Sequence, residues 1–185
     1  ISKKEVCQLT NAKGSLAKVS RPRLYDAVAR KRLFTLLDKH RQHPVIWVSG
    51  PPGAGKSTLI GSYIDVRKRP ALWLQVDAGD ADVSTFFFYL GEAAKQLAPR
   101  RKRLPLLTAE HRADLPAFTR RFGRALFEQL PADSIVVLDN FQEAAHDGLF
   151  QQAVSDLIAQ VPQTSTLIII SRRDPEASFA AHLAN

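Results

Sequence analysis

The chain has 185 residues, 45% of them hydrophobic and 24% charged, which suits one globular domain with its own core and excludes a disordered chain. Its single cysteine, Cys7, excludes an internal disulfide, and no apolar run is long enough to span a bilayer or to serve as a signal peptide, so a cytoplasmic chain without membrane contact is expected. The formal net charge of +8 leaves room for nucleic acid, polyphosphate or another acidic partner.

In chain order, a polar start leads through Arg21-Pro22-Arg23-Leu24 into apolar residues at Leu24, Val28, Leu33, Leu36 and Leu37, a helical period that closes before Pro44. Val45-Ile46-Trp47-Val48 is a short continuous apolar run, as expected of a strand buried on both faces of a parallel sheet. After a glycine-rich turn, Leu59, Ile60, Tyr63 and Ile64 recur at helical spacing until Arg69-Pro70. Ala71 to Val76 reads as a second strand ending at Asp77, and Ser84 to Leu97 as a helix broken by Pro99.

A basic, proline-punctuated loop runs to Leu107; Phe118, Phe122, Leu126 and Leu130 mark a further helix ended by Pro131. Ile135 to Leu138 is the third strand, closed by Asp139, and residues 148–161 are helical by Val154, Leu157, Ile158 and Val161. Leu167 to Ile170 is the fourth strand, ending at Ser171-Arg172-Arg173, and Asp174-Pro175-Glu176 reads as a helix start. This alternation specifies an α/β fold, a parallel sheet with helices on both faces. Ligands of such sheets gather at the carboxyl ends of the strands, where the Gly50 loop, Asp77, Asp139, Arg172 and Arg173 all fall.

Gly50-Pro51-Pro52-Gly53-Ala54-Gly55-Lys56-Ser57 satisfies the phosphate-loop pattern G-x-x-x-x-G-K-[ST] in the strand-to-helix context that pattern requires. Glycines let successive N–H groups turn around phosphate oxygens, and the helix N-terminus adds partial positive charge. Lys56 is expected to reach the β and γ phosphates, Ser57 to ligate magnesium, and Thr58 to assist at the α phosphate. The cofactors expected are therefore ATP or ADP with Mg2+. Asp139 has the position of the carboxylate behind that magnesium.

Asn140 stands where many ATPases place a second acid, and an amide cannot take a proton. Glu143 either reaches the attacking water or is a capping or solvated glutamate. Arg172, and less directly Arg173, is a candidate γ-phosphate sensor, the alternative being a strand-end salt bridge with Asp174 or Glu176. Asp77, Asp80 and Asp82 form an acidic loop that either touches the magnesium water shell or caps the Ser84 helix. The basic runs Arg100 to Arg103 and Arg112, Arg120, Arg121, Arg124 read as a solvated loop and the polar face of a helix.

Arg21 to Leu24, Gly50 to Thr58, Leu72 to Asp80, Val136 to Glu143 and Ile170 to Pro175 together resemble the nucleotide-binding domain of STAND-class P-loop ATPases, in particular MalT-like (LuxR-type) ATP-dependent bacterial transcriptional regulators. The resemblance implies a P-loop NTPase of the ASCE type with strand order 5-1-4-3-2, strand 5 falling outside this chain. It also implies a base-contact role for Arg21 and Arg23, and a switch between an ADP-bound monomer and an ATP-bound oligomer. Residues 1–20 then form an N-terminal polar segment and 21–185 the P-loop domain, cut before a winged-helix lid, sensor and DNA-binding domains. The absence of any methionine fits a piece of something longer.

DNA contact is expected only through the missing domains, and hydrolysis is expected to be slow or conditional. Two other functions share the loop: a small-molecule kinase or phosphotransferase, and a DNA-associated AAA+-like motor module of the helicase-loader kind. The first needs an acceptor pocket with a general base, and the second predicts salt-sensitive, DNA-stimulated hydrolysis.

Overall fold

Four short runs of branched and aliphatic residues form the strands β1 (Val45–Val48), β2 (Ala71–Gln75), β3 (Ile135–Asp139) and β4 (Thr166–Ile170). In the computed structural model, which describes residues 17–24 and 29–183, they make one parallel sheet in the order β1-β4-β3-β2. That is the order the resemblance implies for these four.

The helices are α1 (Lys31–His40), α2 (Lys56–Arg67), α3 (Val83–Leu97), α4 (Ala109–Arg112), α5 (Leu115–Gln129), α6 (Gly148–Ile158) and α7 (Ala177–Leu183). Single 3-10 turns follow β2 at Ala78–Ala81 and β3 at Phe141–Glu143. Strand side chains alternate between faces, so Leu72, Leu74, Val136, Leu138, Leu167 and Ile169 pack toward α3, α5 and α6. Trp73, Ile135, Val137, Ile168 and Ile170 pack with Phe34 and Leu37 of α1 and Ile60, Tyr63 and Ile64 of α2. Each face is a separate apolar core, which is why β3 and β4 are buried at every position.

On the first face Phe86, Phe87, Phe118 and Phe122 interlock with Phe150 and Phe141 at centroid separations of 4.8 to 5.9 Å. Leu138 lies in the middle of that core with no exposure, so truncation to alanine there costs about 2–5 kcal/mol.

β1 stands at the edge of these four, as the implied order with strand 5 outside the chain has it, but only Val45 of the expected buried run is buried. Leu36 is half exposed although it fits the helical period, since α1 turns Phe34 and Leu37 inward. The four-residue α4 lies just past the expected basic loop, and Val28 and Cys7 lie outside the described residues.

Candidate functional site

Gly53 and Gly55 of the loop between β1 and α2 have φ of 76°, a left-handed conformation that residues with a Cβ adopt at a cost. Gly55 is the N-cap of α2, so the first free N–H groups of that helix open toward the loop. The Lys56 ammonium folds back on the loop's own carbonyls, 2.7 Å from Gly50 O and 3.0 Å from Pro51 O. Donating to neutral carbonyls, the ammonium forms no ion pair among the described residues and is available to an anion.

Beside it the Ser57 hydroxyl donates to Asp139 Oδ1 at 2.9 Å. Asp139 closes β3, is 3% exposed, and also accepts from the Asn140 N–H at 3.0 Å. Burial pushes its carboxyl above the ordinary range, against the pull of Ser57, the Asn140 amide and Lys56. A buried carboxylate held by one hydroxyl fits a divalent cation. Magnesium needs about six oxygens, and no cluster of three acidic or imidazole ligands exists among the described residues. Ser57 and Asp139 would thus hold a magnesium ion whose remaining ligands are phosphate oxygens and water.

These groups line one open pocket of about 330 Å³ at the carboxyl ends of β1, β3 and β4. Its walls include Pro52, Gly53, Gly55, Lys56, Ser57, Thr58, Asp139 and Arg172, with Asn140, Gln142, Ile170 and Ser171 added by the fold. Of the other loop residues, Gly50 and Pro51 supply the carbonyls that hold Lys56, and the Ala54 carbonyl faces Arg30 Nη1 at 3.5 Å.

Asn140 takes φ of 59°, a left-handed turn that asparagine tolerates well, so its place after the strand also has a backbone reason. The turn it begins carries Gln142, which accepts from the Arg172 N–H at 2.9 Å and donates to Glu143 Oε1 at 3.0 Å. Arg172 Nη1 stands 3.8 Å from the same Glu143 oxygen, and both side chains are half exposed. Glu143 therefore lies beside the pocket and engaged with its neighbours.

Arg173 points its carbonyl at the Trp47 indole N–H, 3.1 Å away, while Asp174 accepts from Ser49 at 2.6 Å. These two contacts pin the segment after β4 to the end of β1. Gln142 falls inside the resembling stretch Val136 to Glu143 with no role assigned to it, and the sequence held no signal for Arg30 or for the Trp47 contact, which depend on which strands become neighbours.

Arg21 lies elsewhere. It pairs with Asp65 of α2 at 2.6 Å and borders a separate cleft at the amino end of β2, while Arg23 is exposed. The acidic loop is taken up structurally: Asp82 caps α3 through Ser84 N, and Asp77 and Asp80 form a reciprocal cap on their 3-10 turn. Lys18 closes that cap, at 2.7 Å from Asp77 and 2.9 Å from Asp80.

A profile described as "AAA ATPase domain" matches residues 28–170. Among curated proteins, the chain is 26% identical over 175 residues to the HTH-type transcriptional regulator MalT of Klebsiella pneumoniae subsp. pneumoniae, covering 89% of this chain and 18% of that protein. It is 27% identical over 172 residues to the HTH-type transcriptional regulator MalT of Vibrio cholerae, with the same coverage. The chain thus spans less than a fifth of the length of these relatives. A solved structure titled "Structure of C. elegans PCH-2" aligns with a TM-score of 0.41 and 11% identity, covering 82% of this chain and 39% of that one. No described helix is long and apolar enough to cross a membrane. The parallel sheet, the glycine loop capping α2 and the profile match agree, and the chain belongs to the AAA ATPase domain family, as a P-loop ATPase domain similar to MalT regulators.

Proposed function

We propose that this chain is the ATP- and magnesium-binding switch domain of a transcriptional regulator, in which bound nucleotide controls self-association and hydrolysis is slow or conditional. The observation that carries the reading is the 2.9 Å contact between Ser57 and Asp139 in the pocket that Lys56 also lines, a phosphate and magnesium site without an acid at position 140. Magnesium, when bound, neutralises charge on the β and γ phosphates.

Around it, Lys56 and the α2 N-terminus bind the phosphates, and Ser57 with Asp139 orients the metal. Asn140 cannot accept a proton from water, and the Glu143 carboxylate is engaged by Gln142 with Arg172 nearby, so neither of these two is a free base. Arg172 on the pocket wall is the group that would tell tri- from diphosphate. Location in the cytoplasm, and DNA contact through other parts of a longer regulator, belong to the same proposal.

Calorimetric titration of ATP and ADP with magnesium into the chain and into Lys56→Ala tests it. Binding that the variant loses, a clear ATP/ADP difference, and larger particles with ATP by light scattering are expected. Equal affinity of the intact chain for both nucleotides, or phosphate transfer to a small acceptor, would sink the switch reading.

A further inference from the structure

Away from the nucleotide pocket, α3 and the segment that follows it enclose a groove of about 290 Å³ with an apolar floor. Phe88 is 46% exposed and Leu106 is 62% exposed, although both are large hydrophobic side chains. Between them Gly91 presents no side chain, and Leu104 stands opposite at ordinary contact distance from where a Cβ would be. Around this floor lie Lys95, Arg101, Lys102 and Arg103, all exposed, against a single carboxylate, Glu92.

Among the described residues none of those four cations forms an ion pair. In the second basic run Arg112 is bound to Asp82 and Ser84 and Arg121 to His111, while Arg120 and Arg124 form no ion pair among the described residues. Four solvated cations around exposed aromatic and aliphatic side chains are not used by the nucleotide site, nor by the fold.

We propose that this groove is a docking site for an acidic amphipathic helix of a partner protein, which seats apolar side chains between Phe88 and Leu106 and sets its carboxylates against Lys95, Arg101, Lys102 and Arg103. Charge complementarity selects the occupant: a rim of four cations and one carboxylate attracts an acidic segment. Apolar anchors in a groove at helical spacing are the recognition mode that an apolar floor with a charged rim serves. One aromatic ring gives no repeated stacking platform for a nucleic acid strand, and a concave floor does not present an apolar ridge to a bilayer.

The test uses the whole 185-residue chain and a fluorescein-labelled acidic amphipathic peptide of about four helical turns, with leucines on one face and glutamates on the other. Fluorescence anisotropy should report saturable binding. Phe88→Ala, and separately Gly91→Leu, which fills the floor while raising helix propensity, should each weaken it at least ~10-fold. Replacing Arg101, Lys102 and Arg103 together by glutamate should abolish it, with circular dichroism unchanged because all these positions are at the surface.

Absence of peptide binding overturns the proposal. So does binding that an equally acidic peptide without leucines matches, since that is charge attraction alone. Displacement of the peptide by a single-stranded oligonucleotide or anionic phosphatidylserine vesicles, with the same dependence on Phe88, would assign the groove to those ligands instead.

Discussion

Ser57 and Asp139 are 82 residues apart in the chain, yet the hydroxyl of one donates to the carboxylate of the other at 2.9 Å, across the gap between the start of α2 and the end of β3. Nothing local to either segment produces this contact. It exists because β4 enters between β1 and β3 and brings the loop after β1 beside the carboxyl end of β3.

Asp139→Asn separates metal binding from stability. Burial raises the Asp139 pKa, so its favourable contribution is complete below the ordinary carboxylate range and is lost as pH rises through the folded value, leaving a net cost at neutral pH. The amide keeps the shape and removes that cost. Thermal unfolding at neutral pH should show an unliganded variant at least as stable as the parent, with the stabilisation by ATP and magnesium lost. A variant that gains as much from magnesium and ATP as the parent does would remove Asp139 from the metal site.

Gln142 links the turn after β3 to the segment after β4 through Arg172 N and Glu143. Its bonds are exposed, so Gln142→Ala should cost no more than about 1.5 kcal/mol of stability. If Gln142 positions Arg172, the ratio of ATP to ADP affinity, measured by calorimetry, should fall toward one while ADP affinity holds. An unchanged ratio would leave Gln142 as a surface link only.

Lys18 is 9% exposed and faces Asp80, which has no exposure and whose Oδ1 lacks any partner in the described structure. Burial raises the Asp80 pKa even with the ammonium present. Lys18→Met strands that carboxylate and should cost about 3–5 kcal/mol by urea unfolding. Because the folded state then binds the Asp80 proton more tightly still, the loss should shrink as pH falls toward the carboxylate range. A pH-independent loss would point to the contact of the Lys18 ammonium with the Tyr89 ring, 4.6 Å from its centroid, as its cause.

The contact between α1 and α2 should show two pH limits. Tyr63 donates to Asp38 Oδ1 at 2.8 Å, and Arg67 donates to both oxygens of that carboxylate. The Arg67 hydrogen bond lowers the Asp38 pKa, so its contribution is present above the unfolded carboxylate value and is lost as pH falls through the folded one. Burial, then the bond to Asp38, pushes the Tyr63 phenol up to about 12, so its contribution is complete below about pH 10 and is lost as pH rises through the folded value. Phenolate absorbance of the parent, less that of Tyr63→Phe, should place the Tyr63 transition near 12, and Asp38→Asn should lower it. A phenol titrating at the ordinary value in the parent would mean that the two helices do not pack this way.

Much of the architecture was legible because it is locally encoded. A run such as Ile135 to Leu138 has few structures open to it other than a buried strand, and Gly53 and Gly55 before Lys56 specify a left-handed turn into a helix. The fate of individual side chains was less legible. Leu36 obeys the helical period and still faces solvent, Val45 to Val48 reads as a strand buried on both faces and is buried only at Val45, and α4 is too short for a period to register. Arg21, to which the resemblance gives a base contact, meets Asp65 near the carboxyl end of α2, whose amino end carries the pocket loop, a pairing that depends on where the chain before α1 is laid.

The sequence by itself determined the phosphate loop, the strand-ending aspartate and the alternation of strands and helices, because each is written within a few consecutive residues. Only the tertiary structure decided that Ser57 meets Asp139, that Gln142 ties Glu143 to Arg172, and that Lys18 closes the Asp80 cap. These contacts join segments brought together by strand order, and strand order is set by how two apolar faces are buried at once, a property of the whole sheet that no stretch of sequence contains.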